Sequence, residues 1–172
     1  MHYIVAIHHH ADDQRRYRPN ARAVITHRVR RLWNMRTQRQ VVDYALQRRA
    51  LLAEVYAGRI GLAEVCDATP YLLRAAKFHG EPSSVTCPVC RKESLTLVSW
   101  VYGEELKHAA GSARSADELN RMATLFEEFS VFVVEVCRTC SWNHLVQSYV
   151  LGTSGVGSRR SRRRTVAGNG LE

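Results

Sequence analysis

Four of the chain's five cysteines form two Cys-x-x-Cys pairs, Cys87 with Cys90 in CPVC and Cys137 with Cys140 in CRTC. A two-residue spacing lets one tight turn point both sulfurs at a single ion. Two such turns complete a tetrahedron with zinc–sulfur bonds of about 2.3 Å. Four thiolates leave no position open for water or substrate, so the expected group is one structural Zn2+ whose binding energy serves folding. Replacing Cys87 or Cys137 by serine is then expected to release the metal and unfold residues 83–151. Rubredoxin-like iron uses the same ligands but favours glycine after each pair, where Arg91 and Ser141 stand. A thiol–disulfide switch calls for a Cys-x-x-Cys opening a helix in a βαβ context, which neither pair has.

Other chemistry-bearing side chains lack such spacing. Cys66 has no partner in sequence and reads as a small buried hydrophobe on a helix. His144, four residues beyond Cys140, could replace a thiolate, but with four cysteines present it reads as a strand residue. Trp100 and Trp142 read as packing around the metal turns. His8, His9 and His10 have no ordered scaffold to fix a coordination geometry. No Ser/His/Asp, paired-carboxylate or open-metal constellation is visible. The expectation is therefore a non-enzymatic protein with no catalytic residue, no organic cofactor site and no small-molecule substrate.

The elements that must position the cysteines follow from periodicity and punctuation. From Arg39 to Ala57 apolar residues recur at three-to-four spacing before Gly58, which predicts one amphipathic helix with Arg48 and Arg49 at its margins. A short helix over Leu62–Cys66 and a third from Thr69-Pro70 to His79 follow, Thr69 serving as N-cap and Pro70 as first-turn residue. Residues 94–102 and 129–136, rich in β-branched and aromatic types, predict strands, and 143–151 a third. Between the first two strands, Ser115 and Glu118 have capping-box spacing and open a helix over about 115–128. CPVC falls just before the first predicted strand and CRTC between the second and third, a two-knuckle ribbon with an inserted helix. The fold class expected is α+β: a helical segment over 35–80, then an antiparallel three-stranded zinc ribbon over 81–151.

Charge is distributed unevenly along the 172 residues. Residues 1–34 hold seven arginines against two aspartates, net +5, and residues 152–172 five arginines against Glu172, net +4. The stretch 35–151 carries thirteen basic and thirteen acidic side chains and is formally neutral. Attraction for phosphate is thus expected in the arginine-rich ends, salt-sensitive and with little sequence preference. The first segment reads either as a disordered basic arm or as a mis-called start ahead of Met35. The last reads as a disordered Arg-rich tail. The longest apolar runs, Ile4–Ile7 and Val131–Val134, are far short of the roughly 20 residues that cross a bilayer, and the N-terminus lacks the order of a signal peptide. A cytoplasmic, membrane-free protein is expected, and in that reducing compartment paired cysteines read as metal ligands before disulfides.

The segments AEVCDATPYLLRAAKFHG, CPVCRKE, LVSWVYG and EVCRTCSWNHLV resemble an actinobacterial family of small conserved four-cysteine, zinc-ribbon-like proteins of unknown function, over about residues 35–151. The resemblance implies a source group and no activity. The expected role is an adaptor or regulator docking on a larger protein or ribonucleoprotein machine of transcription or translation. Glu104, Glu105, Lys107, Arg121 and Glu128 are the candidate surface contacts. The alternative is a DNA-binding regulator using a helix-turn-helix-like segment 60–79 that presents Arg74 and Lys77. A metallo-redox or hydrolytic enzyme is the third reading.

Overall fold

A computed structural model describes residues 38–155. The expectations for residues 1–34, including His8 to His10, and for the Arg-rich tail lie outside these residues, apart from Gly152 to Gly155. Strand β1 (Arg39–Asp43) opens the described chain and leads into α1 (Ala45–Tyr56). The expected single helix over 39–57 is therefore divided, for two local reasons. Val41 and Val42 are β-branched and suit a sheet edge. Asp43 Oδ1 then accepts the Ala45 N–H at 2.7 Å, an Asx turn that starts the helix two residues later. Gly58, at φ 71°, ends α1 as expected.

Helices α2 (Leu62–Val65) and α3 (Pro70–His79) follow, the second capped by Thr69 Oγ1, which accepts the Leu72 N–H at 3.2 Å. The chain leaves α3 through Gly80, where any Cβ would collide with the Ala76 carbonyl and the Thr96 side chain. It then forms β2 (Glu81–Thr86) and β3 (Ser94–Tyr102). A 3₁₀ segment (Glu104–Ala109), the short β4 (Ser112–Arg114) and α4 (Ala116–Leu125) separate β3 from β5 (Phe129–Val136). The reciprocal Ser115/Glu118 capping box starts α4. Strand β6 (Asn143–Leu151) and a 3₁₀ turn (Thr153–Gly155) complete the described chain.

The three expected strands are β3, β5 and β6, but they form the middle of a six-stranded antiparallel sheet rather than a free ribbon. The order is β1-β6-β5-β3-β2, and β4 pairs with β3. The extra strands are sheet edges with weak sequence signals. β2 contains Pro82 and two serines, is largely exposed and shifts register along its length, as edge strands with proline do. β4 is only three residues long.

Alternation sends side chains to two covered faces. On one, Leu72, Ala75 and Ala76 of α3 pack with Trp100, Phe132 and Val134. On the other, Leu119 and Met122 of α4 pack with Val101, Val131, Val133 and Tyr149. Burial on both faces explains why β5 reads as an unbroken apolar run. The helices of the 35–80 segment thus lie on the sheet that carries the cysteines, and no described helix is long and apolar enough to cross a membrane.

Candidate metal centre

CPVC closes the β2–β3 hairpin and CRTC closes β5–β6. Because Thr96 pairs with Val136, the two turns sit side by side at one end of the sheet. They are built alike. The Cys87 carbonyl accepts the Arg91 N–H at 3.1 Å, and the Cys137 carbonyl accepts the Ser141 N–H at 3.0 Å. The first cysteine of each pair donates its own N–H across the hairpin, to the Glu93 carbonyl at 2.9 Å and the Trp142 carbonyl at 2.8 Å.

All four Sγ atoms lie within 4.8 Å of one another. The Cys87–Cys140 and Cys90–Cys137 separations are both 3.6 Å. A tetrahedron of four sulfurs at the zinc–thiolate distance has edges of about 3.8 Å. Two edges come close to that length, and the remaining separations are no longer than 4.8 Å. Cys87 and Cys137 are buried, Cys90 and Cys140 half-buried. These four cysteines together could hold a metal ion.

Arg91 and Ser141, which follow the pairs, adopt left-handed backbone at φ 56° and 66°. Glycine meets this geometry without the Cβ penalty. Arg91→Gly and Ser141→Gly are each expected to leave metal content unchanged and to raise stability by about 0.5–1 kcal/mol, read from denaturation midpoints. The missing glycines therefore say little about which metal binds, since the turn forms without them.

Four thiols at this spacing cannot ionise together unless a cation offsets their charge. Burial pushes the Cys137 thiol well up and that of Cys140 up to about 12, whereas the Lys92 backbone hydrogen bond draws Cys90 down to about 7. A bound divalent cation would deprotonate all four. Burial also raises Cys66, a half-buried fifth thiol packed in the same cluster as Cys90 and Cys140. Glu93 Oε1 accepts from Cys137 Sγ at 3.2 Å and from the Thr139 N–H at 2.8 Å. Burial alone would raise the Glu93 carboxyl, but these donors hold it below the usual range.

The helices fasten the turns from one side. Leu52 and Val55 of α1 and Val65 of α2 pack with Cys87, Cys137, Leu95 and Trp142. Tyr56 donates its hydroxyl to the Pro88 carbonyl inside CPVC at 2.9 Å, and the Ala68 N–H donates to the Ser141 carbonyl at 3.0 Å. Beneath them Glu135, 4% exposed, accepts from Arg48 Nε at 2.6 Å and from Trp142 Nε1 at 2.8 Å.

His144 pairs with Glu135 in register, stacks on Trp142 and is buried in β6. Burial lowers its pKa to about 4 from 6.5. Between those values the unfolded chain binds a proton that the native state refuses, so the contribution of His144 is complete above pH 6.5 and is lost as pH falls toward 4. Lowering the pH from 6.5 to 5 should remove about 2 kcal/mol. His144→Gln should lack that slope in equilibrium unfolding curves.

Sequence reasoning placed Trp100 at the turns. It lies instead under α3, 5.4 Å from the Tyr71 ring. Trp142 does pack against the cysteines. Of the surface candidates, Glu105 accepts the Glu127 N–H at 2.8 Å and Glu128 pairs with Arg39 at 3.2 Å, while Glu104, Lys107 and Arg121 are exposed. Arg74 and Lys77 are exposed on α3. The roles of Glu93, Arg48 and Glu135 were missed because each depends on a contact made across the sheet. The alternation of β5 gave one usable sign, a lone glutamate inside FSVFVVEV.

Fold and site together define a mixed helix and antiparallel-sheet protein with a four-cysteine cluster that could bind metal. The chain belongs to a family of unknown function (DUF5318), which matches residues 35–166. It is similar to the uncharacterized protein Rv0049 of Mycobacterium tuberculosis (strain ATCC 25618 / H37Rv) and to the uncharacterized protein Mb0050 of Mycobacterium bovis. Each is 72% identical over 113 residues, covering 66% of this chain and 82% of the relative. No solved structure matches the chain.

Proposed function

We propose that this is a non-enzymatic cytoplasmic protein in which Cys87, Cys90, Cys137 and Cys140 hold one structural Zn2+, and that it acts as an adaptor or regulator docking on a protein or ribonucleoprotein machine of transcription or translation. The observation that supports the metal reading is the convergence of four sulfurs, from two equivalent turns, to within 4.8 Å of one another. In a closed shell the ion fixes the sheet end and shapes a surface. Bond making would need an open ligand position, which four thiolates do not leave. The adaptor role rests on analogy with other zinc ribbons and on the exposed charged side chains of Glu104, Lys107 and Arg121.

Purified protein should contain about one zinc per chain by elemental analysis. Glu104→Lys combined with Arg121→Glu should leave zinc content and melting temperature unchanged while weakening partner capture by about 1 kcal/mol or more. Turnover of a small molecule that depends on Cys87 or His144, with folding intact, would contradict the non-enzymatic reading.

A further inference from the structure

Helix α3 and strand β4 border a groove of about 330 Å³ on the sheet, apart from the cysteine cluster. Tyr71, Arg74 and Phe78 line it from the helix, and Ser112 and Arg114 from the strand. Tyr71 and Phe78 are 48% and 67% exposed, while Leu72, Ala75 and Ala76 of the same helix are buried. At seven residues apart they stand about 10 Å from each other along the axis, room for two planar groups rather than one. Each carries a cation from its own helix: the Arg74 guanidinium lies 5.6 Å from the Tyr71 ring centre and the Lys77 ammonium 5.4 Å from that of Phe78.

The charged side chains lining the groove are Arg74 and Arg114, with Lys77 on the same helix as Arg74. The nearby acids have structural work: Glu118 bonds Arg114 at 3.1 Å and caps α4, and Glu81 accepts the Ala116 N–H at 3.2 Å.

We infer that this groove binds single-stranded nucleic acid, with Tyr71 and Phe78 as stacking platforms for bases and Arg74 and Arg114 as phosphate contacts. Alternating rings and cations match that ligand, since every base has a π-face and every linkage an anionic phosphate. An acidic peptide would use the cations and leave the rings idle. A duplex hides its bases from stacking and offers a groove reader only their edges. The inference is independent of the metal reading, because none of the groove's lining residues belongs to the cysteine cluster.

The test uses the full chain, whose arginine-rich ends add charge attraction to every variant equally. Fluorescent oligouridylate and oligothymidylate are titrated by anisotropy over a range of salt, and amide chemical shifts are followed on labelled protein. Binding should move the amides of Tyr71–His79 and Ser112–Arg114. Phe78→Ala should weaken it about tenfold with the salt slope unchanged. Arg74→Ala should weaken it and reduce the slope by about one. Both side chains are exposed, and an unchanged melting temperature and amide spectrum away from the groove would show both variants folded. The inference is overturned if either strand binds the variants as tightly as the parent, if the shifts fall elsewhere, or if a duplex or polyglutamate binds this groove equally well with Phe78→Ala indifferent.

Discussion

Cys137→Ser is expected to abolish stoichiometric zinc binding and to dismantle the cysteine end of the sheet. Structural zinc sites in small peptides bind with about 10–16 kcal/mol at neutral pH, as much as the whole stability of an ordinary domain, about 5–15 kcal/mol. Cys137 is fully buried, so losing the ion would also leave the remaining sulfurs crowded in an apolar setting. The loss should be graded along the molecule. Leu52, Val55, Val65, Leu95 and Trp142 pack directly on the cysteines, whereas the clusters under α3 and α4 are built without them. Hydrogen exchange after chelation should therefore lose protection first in α1, α2 and the ends of β2 and β3, with the centre of β5 last. From sequence alone a uniform collapse of 83–151 is the natural expectation. The two additional apolar clusters are the reason to expect gradation instead. Equal protection in chelated and metal-loaded protein would contradict a structural role.

Arg48→Met should destabilise the protein by about 3–5 kcal/mol, the range for stripping a partner from a buried ion pair. The pair bonds at 2.6 Å, with the Glu135 side chain 6% exposed and that of Arg48 23% exposed. Without Arg48 the carboxylate keeps the Trp142 indole as donor, and the ion pair between α1 and the sheet is cut. Glu135→Gln should cost less, about 1–2 kcal/mol, because the amide oxygen still accepts from Trp142 and Arg48 can reach water. The double variant should be no less stable than Arg48→Met alone, since it removes the uncompensated charge. Chemical denaturation of the three variants checks the order. An Arg48→Met midpoint equal to that of the parent would show that the pair contributes nothing.

Legibility in the sequence followed the locality of each signal. β3, β5 and β6, the caps at Thr69 and Ser115 and the stop at Gly58 depend on neighbours within a few residues, and the structure has them where the pattern does. β1 was hidden because Val41 and Val42 continue the helical spacing of α1, and only pairing with β6 reveals the strand. β2 reads as a loop because an edge strand tolerates proline and serine. The cysteine spacing pointed to one cluster, and the sulfurs do converge. Its surroundings were illegible: Glu93 meets Cys137 across 44 positions and Arg48 meets Glu135 across 87, distances over which no residue pattern carries information.

Zinc K-edge X-ray absorption on the purified, metal-loaded protein tests the closed four-thiolate site most directly. Four sulfurs at about 2.3 Å, with no nitrogen or oxygen in the shell, is the predicted result. A mixed shell containing a histidine nitrogen or a water oxygen, or a metal other than zinc bound at stoichiometry, would contradict it.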